Sequence, residues 1–107
     1  AFARLEAMSG GEKSLTALAF IFALQSVNPA PFYVFDEVDQ SLDGANTELL
    51  AVAIQKRSRD RQYLVVSHHQ AMLNESDQLL GVSARKGAGT VVTGISLKKG
   101  EKQKALA

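Results

Sequence analysis

"PFYVFDEVDQSLDGAN", Pro31 to Asn46, holds a strand, a polar edge and a helix start in one short stretch. Phe32-Tyr33-Val34-Phe35 is a continuous apolar, β-favouring run between a proline and acids, the pattern of a buried strand in a parallel sheet. Asp36 and Glu37 follow at once. In open α/β sheets ligands sit at the carboxyl ends of strands, so acids there can divide labour. One can hold a magnesium ion through water, since Mg²⁺ gives up water reluctantly, and its neighbour can activate an attacking water. A solvated acid pair at a turn is the plain alternative. Asp39 and Asp43 add carboxylates that repel unless a cation or basic groups balance them. Asp43-Gly44 with Asn46 also reads as an ordinary turn and helix start, which leaves Asp43 the most ambiguous of the four.

Upstream lies "EAMSGGEKSLTALAF", Glu6 to Phe20, where a glycine pair precedes a helical pattern. Leu15, Leu18, Ala19, Phe22 and Ala23 recur at helical spacing from Glu12 to Gln25. Phe20, Ile21 and Leu24 fill much of the other face, so the helix is expected to be buried nearly all round. Pro29 and Pro31 end it. Ser9 and Glu12 have capping-box spacing. Capping does not call for two glycines in a first turn, where each costs about 1 kcal/mol relative to Ala. Paired glycines offer bare backbone to an anion at the positive helix end, and both readings can hold together.

Downstream, Gly44 to Arg57 reads as a helix with Leu49, Leu50, Ala53 and Ile54 on one face. A basic stretch "KRSRDR" leads to a second buried strand, Tyr63 to Val66, followed by Ser67, His68 and His69. If the two strands run parallel, those polar groups emerge at the same edge as Asp36 and Glu37. A histidine there can bond a phosphate or orient a water. Adjacent histidines with no further His or Cys disfavour zinc, and no nucleophile-elbow motif supports a Ser–His–Asp triad. A helical turn at Ala71 to Asn74 precedes two apolar runs, Leu79 to Val82 and Val91 to Leu97. The glycine-rich "RKGAGT" between them predicts a hairpin with one wetted face. The tail "KKGEKQKALA" reads as solvated. Alternating strands and helices predict an α/β layer with a partly parallel sheet.

The totals narrow the class. The chain has 107 residues, enough for one domain, and 46% hydrophobic content, which argues for a folded protein. Its net charge of +1 gives no nucleic-acid signature, and "KRSRDR" neutralises too few phosphates to make one. The absence of cysteine excludes a disulfide framework and thiolate metal sites, and fits a reducing, cytoplasmic setting. No apolar run has membrane-spanning length. "AFARLEA" has neither signal-peptide features nor an initiator Met, as expected of a fragment or a processed chain.

In order, "MSGGEKSLTALAFIFALQ", "PFYVFDEVDQSLDGAN" and "YLVVSHHQ" closely resemble the C-terminal half of the ATPase head of SMC chromosome-maintenance proteins, a group within the ABC class of P-loop ATPases. The resemblance runs from about Arg4 to Lys98. "DEVD…LDGAN" is nearer to SMC proteins of the single bacterial or archaeal type than to transporter or DNA-repair ABC ATPases. It implies that residues 1–107 form the C-terminal lobe of such a head, an ABC-type fold with a C-terminal hairpin. It implies that Ser9, Gly10 and Gly11, with Lys13 beside them, are the signature that binds ATP held by an opposite head. It makes Asp36 the magnesium residue through water, Glu37 the catalytic base and His68 the switch histidine that senses γ-phosphate. Ser41, Leu42 and Asp43 resemble the D-loop crossing the dimer interface.

Met8 in place of a common Leu and Gln40 in place of a small residue are mild departures. The large one is that no Walker A loop and no Q-loop lie in the chain. In SMC proteins these belong to an N-terminal half joined through a coiled-coil arm and hinge. The resemblance therefore implies an ATPase, dependent on ATP and Mg²⁺, only when completed by an N-terminal lobe and a second, identical head. Its implied partners are a kleisin subunit and, through the full-length complex, DNA, with a place on the nucleoid and none in a membrane. The expected role is chromosome condensation and segregation. Half a sheet should also leave apolar surface uncovered. A docking platform for kleisin without enzymatic activity is the alternative, as is the head of another ABC-class repair ATPase.

Overall fold

The computed structural model describes residues 4–97. A 3-10 turn at Leu5–Ala7 leads into helix α1 (Gly10–Val27), strand β1 (Phe32–Asp36), helix α2 (Gly44–Arg57) and strand β2 (Gln62–Val66). A short helix α3 (Gln70–Glu75) and strands β3 (Gln78–Arg85) and β4 (Gly89–Ser96) complete it. The expected elements are all present, with α1 beginning at the glycine pair itself. The tail from Lys98 onward lies outside the described residues.

The two halves of the mixed α/β fold use different pairings. β1 and β2 are parallel, with Phe32 opposite Gln62 and Asp36 opposite Val66. β3 and β4 are antiparallel, with Val82 opposite Val92, and turn through Gly87 and Gly89 at φ 83° and 72°. α1 ends where expected. The Asn28 amide donates to the Leu24 carbonyl at 2.8 Å, and the Ala30 amide donates to the Tyr33 hydroxyl at 2.7 Å.

Strand alternation decides the core. Phe35 on β1, with the half-buried Tyr33, Tyr63 and Val65, faces Leu18 and Phe22 of α1 and Leu50, Ala51 and Ile54 of α2. Met72 of α3 and Leu42 of the β1–α2 loop close the cluster. Phe22 and Phe35 stack tilted at 6.0 Å, and the Arg57 guanidinium lies 4.3 Å from the Phe22 ring centroid. Arg57, at the end of α2, is thus a packing residue as well as part of the basic stretch. Tyr63 donates its hydroxyl to Gln25 Oε1 at 2.7 Å, fastening α1 across the sheet.

Burial falls short of expectation in α1, in the strands and at Leu49 of α2, which is 68% exposed. α1 is not buried all round: Leu18 and Phe22 are buried, whereas Phe20 is 65% exposed, and Ile21, Leu24 and Val27 are also exposed. β1 and β2 are covered on one face only, leaving Phe32, Val34, Leu64 and Val66 exposed on the other. Continuous apolar runs signal cover on both faces. Among the described residues only one cover exists, the layer of α1 and α2. The hairpin shows the same shortfall, with Leu80, Val82 and Val92 exposed on one face and Leu79 and Val91 only half-buried on the other.

The two glycines of α1 differ. A Cβ on Gly10 would meet nothing within 4 Å, whereas one on Gly11 would stand 3.0 Å from the Ser41 carbonyl oxygen. Gly11 therefore lets α1 approach the β1–α2 loop, a packing use that the anion reading of both glycines did not include. Gly11→Ala should lower stability by about 1–3 kcal/mol, the usual cost of overpacking. Gly10→Ala should leave stability unchanged or raise it by roughly 0.5–1 kcal/mol. Denaturant midpoints of the two variants provide the check.

Candidate functional site

Parallel pairing brings the carboxyl ends of β1 and β2 to one edge, where the polar loops expected there meet. Asp36, the last residue of β1, is exposed. Glu37 has a left-handed φ of 49°, unusual for a residue with a Cβ. Its amide donates to the Val66 carbonyl at 2.9 Å, and its own carbonyl accepts from the Gln40 amide at 3.1 Å. The strained turn is therefore tied to the neighbouring strand and closed on itself. Glu37 Oε1 lies 3.2 Å from His68 Nε2. Both side chains are open to solvent, so they can reach a ligand.

A second contact behind the first joins the same two loops. Asp39 is 1% exposed. Its Oδ2 accepts a short hydrogen bond from the Ser67 hydroxyl and lies 2.8 Å from His69 Nδ1. The His69 amide donates to Ser67 Oγ at 3.0 Å. Burial raises the pKa of the Asp39 carboxyl, but the bonds from Ser67 and His69 outweigh it and hold the group below its ordinary 3.8. The balancing groups that four neighbouring carboxylates require are, for Asp39, these two side chains. Sequence reading missed them, because the contacts span 28 and 30 residues of chain.

The sign of that shift gives an acid-stability prediction. A carboxyl more acidic in the folded chain stabilises it wherever the unfolded carboxyl is ionised, above about pH 3.8. That contribution disappears as pH falls through the lower folded value. Asp39→Asn should therefore flatten the acid limb of the stability curve below about pH 5, read from urea midpoints against pH. An acid limb unchanged in slope would show that Asp39 carries no linked proton.

The glycine turn forms its own cradle. Ser9 Oγ accepts from the Glu12 amide at 3.3 Å and Glu12 Oε2 accepts from the Ser9 amide at 2.8 Å, a complete capping box. Among the described residues, the amides of Gly10 and Gly11 have no acceptor at this positive helix end. These two amides, with open space over Gly10, can receive an anion such as a nucleotide phosphate. Lys13 is exposed and lines a shallow apolar groove with Leu5, Thr16 and Phe20. Ser14 Oγ lies 2.6 Å from Ser41 Oγ, linking α1 to the loop after β1.

Of the remaining residues in that loop, Leu42 is a core residue and Asp43 is the N-cap of α2. Asp43 Oδ1 accepts from the Asn46 amide at 2.8 Å, so its capping reading holds in the structure. No hydrogen bond or ion pair among the described residues joins Ser9, Gly10 or Lys13 to Glu37 or His68. No three His, Asp or Glu side chains gather into a metal cage among them either. A lone carboxylate such as Asp36, next to solvent, suits an ion that keeps most of its water, as Mg²⁺ does.

The family model described as the RecF/RecN/SMC N terminal domain matches residues 3–90. The Chromosome partition protein Smc of Gloeobacter violaceus is 53% identical over 94 residues, covering 88% of this chain and 8% of that protein. Its counterpart in Pyrococcus furiosus is 50% identical over 99 residues, covering 92% of this chain and 8% of that protein. The chain thus spans 8% of the length of these curated relatives. Among solved structures, the SmcHead bound to the C-winged helix domain of ScpA superposes with a TM-score of 0.86 at 48% identity, over 94% of this chain and 30% of that one. An SMC ATPase studied for ATP-driven dimerization and DNA-stimulated activation superposes with a TM-score of 0.79 at 45% identity, over 97% of this chain and 63% of that one. By sequence over most of its length, and by a fold shared with SMC heads, the chain belongs to the RecF/RecN/SMC family.

Proposed function

We propose that residues 1–107 act as the C-terminal lobe of an SMC ATPase head that hydrolyses ATP only after an N-terminal lobe and a second head complete it. The observation that carries this reading is the 3.2 Å approach of Glu37 to His68 where two parallel strands end together. A carboxylate and an imidazole so placed can take a proton from water and orient it toward a γ-phosphoryl group. Phosphoryl transfer depends mainly on such positioning and on charge neutralisation. Asp36 would hold Mg²⁺ through water, and His68 would bond the γ-phosphate. Ser9, Gly10, Gly11 and Lys13 would grip the nucleotide of the opposite head, the two glycines through their free amides. Ser41, Leu42 and Asp43 would lie at the seam between heads. The ion supplies charge neutralisation on the phosphates when bound.

The uncovered faces support the need for further lobes. Phe32, Val34, Leu64 and Val66 form one apolar sheet face, and Phe20, Leu24 and Val27 lie exposed on α1. Contiguous exposed apolar side chains of this kind mark surfaces that meet a partner. The partners that follow are the N-terminal lobe of the same protein, a second identical head, a kleisin subunit and, through the complete complex, DNA. Engagement and hydrolysis in turn would serve chromosome partition on the nucleoid.

The test is reconstitution. The chain mixed with its Walker A lobe should hydrolyse Mg-ATP, whereas either piece alone should not, and the chain alone should aggregate. A clean monomer with a cooperative unfolding transition would count against the missing cover. The second reading, a kleisin-docking platform, is favoured by the exposed Leu80, Val82 and Val92 of the hairpin. It gains if a folded, nucleotide-bound mixture shows no turnover.

A further inference from the structure

Glu37 and His68 use one side of each site loop, while Asp39, Ser67 and His69 hold the other side and have no part in the proposed reaction. A carboxylate withdrawn from water is costly unless its oxygens are bonded. Asp39 Oδ2 takes two hydrogen-bonding partners from across the fold, the Ser67 hydroxyl and His69 Nδ1 at 2.8 Å. The His69 amide bond to Ser67 Oγ locks the donors to each other. The placement is specific. Asp39 stands two residues beyond Glu37, and Ser67 and His69 flank His68 on either side.

The backbone of Glu37 explains why a second tether matters. A non-glycine residue at φ 49° persists only where its surroundings over-determine it. Its amide bond to Val66 fixes one end of the turn. Nothing in that bond sets the side chain of Glu37 against His68, which is itself exposed. The Asp39 contact supplies that constraint, because it joins the loop after β1 to the loop after β2 just behind the reacting groups.

We propose that Asp39 is a positioning residue: its buried carboxylate, clasped by Ser67 and His69, holds the two loops together and keeps Glu37 and His68 at their 3.2 Å contact. The inference rests on the reading of Glu37 as the base. Asp39 is only 1% exposed and so is shielded from direct contact with a nucleotide, and its loss should lower kcat and leave KM for ATP nearly unchanged. Displacing a catalytic group by about 1 Å can cost on the order of 100-fold in rate, the size expected for Asp39→Ala. Asp39→Asn keeps the shape and one acceptor oxygen and should recover part of the rate. His69→Ala removes one of the two donors and should cost less than Asp39→Ala. Members of one network are not additive, so Asp39→Ala with His69→Ala should be no worse than Asp39→Ala alone.

The experiment measures kcat, KM and Tm of the full-length protein that carries this segment, for Asp39→Ala, Asp39→Asn and His69→Ala, and for Asp39→Ala combined with Glu37→Gln. The expected result is a kcat loss at constant KM, partial rescue by Asn, and no further loss in the Glu37→Gln background. Wild-type kcat per folded molecule in Asp39→Ala, whatever its Tm, overturns the proposal and leaves the clasp a purely structural contact. A raised KM at unchanged kcat overturns it as well. If Asp39→Ala does not fold, His69→Ala decides alone, since its side chain is 44% exposed and its removal leaves the core intact; wild-type kcat there overturns the proposal. The two readings fail separately. Active Asp39→Ala beside inactive Glu37→Gln removes only the clasp, whereas a fully active Glu37→Gln removes the base and with it the object that Asp39 positions.

Discussion

Glu37→Gln should reduce ATP turnover of the completed head on the order of 10²–10⁴-fold, the range for loss of a general base, while ATP-driven engagement of heads persists. The substitution keeps the size of the side chain and its ability to face His68 Nε2 across the present 3.2 Å. It replaces a basic carboxylate by a neutral amide, which is too weak a base to take a proton from water. The left-handed backbone of residue 37 is held by its amide bond to Val66 and by its carbonyl's bond with Gln40, both independent of the side chain. The turn should therefore survive, and with it the placement of Asp36, the residue proposed to hold Mg²⁺. Turnover assays beside ATP-dependent sedimentation separate the two effects. A Glu37→Gln protein that cannot engage would remove the role assigned to Glu37, and one that turns over normally would remove it equally.

Ser9→Arg should show the opposite split, with ATP bound on the Walker A side but engagement of the two heads lost. Ser9 is exposed at the start of α1, beside the unpaired amides of Gly10 and Gly11. An arginine there fills the space over Gly10 with a long cation and crowds a partner's nucleotide. Its folding cost is modest, since losing the Ser9 cap is worth about 1 kcal/mol. The loss at the interface should be that of a hot spot, roughly 30-fold or more in dimer affinity. Ser9→Ala, which loses the same cap without the bulk, isolates the steric contribution. Equal weakening by both variants would mean that loss of the Ser9 hydroxyl, and not the added bulk, accounts for the defect. Undiminished ATP-dependent dimerisation of Ser9→Arg would remove the in-trans role altogether.

Local chemistry was legible in the sequence, and long-range side-chain geometry was not. The Ser9–Glu12 capping box, the ending of α1 before Pro29, the Asp43 cap of α2 and the parallel strands each follow from residues close in sequence or from one run's composition. The meeting of the two loops at one sheet edge followed from that parallel pairing alone. The clasp did not, because Asp39 meets Ser67 and His69 across 28 and 30 residues of chain, and composition cannot specify such a pair. Nor did the use of Gly11, which depends on how closely α1 passes the Ser41 carbonyl. Burial was overestimated for α1 and β1 for a different reason. Their sequences record how much apolar surface needs cover, and Phe20, Val27, Phe32 and Val34 find none among the described residues. Those exposed side chains agree with a lobe that works only in company.

Turnover per head against head concentration tests the composite site most directly. The sample is the chain joined by its Walker A lobe and saturated with Mg-ATP, so that only encounter between heads limits the reaction. If each signature completes the other head's site, turnover per head should rise with concentration and level off as heads pair. Dilution should abolish it, and Ser9→Arg should be flat near zero throughout. Turnover per head that stays constant on dilution, with Ser9→Arg matching wild type, would show that one head suffices and contradict the account.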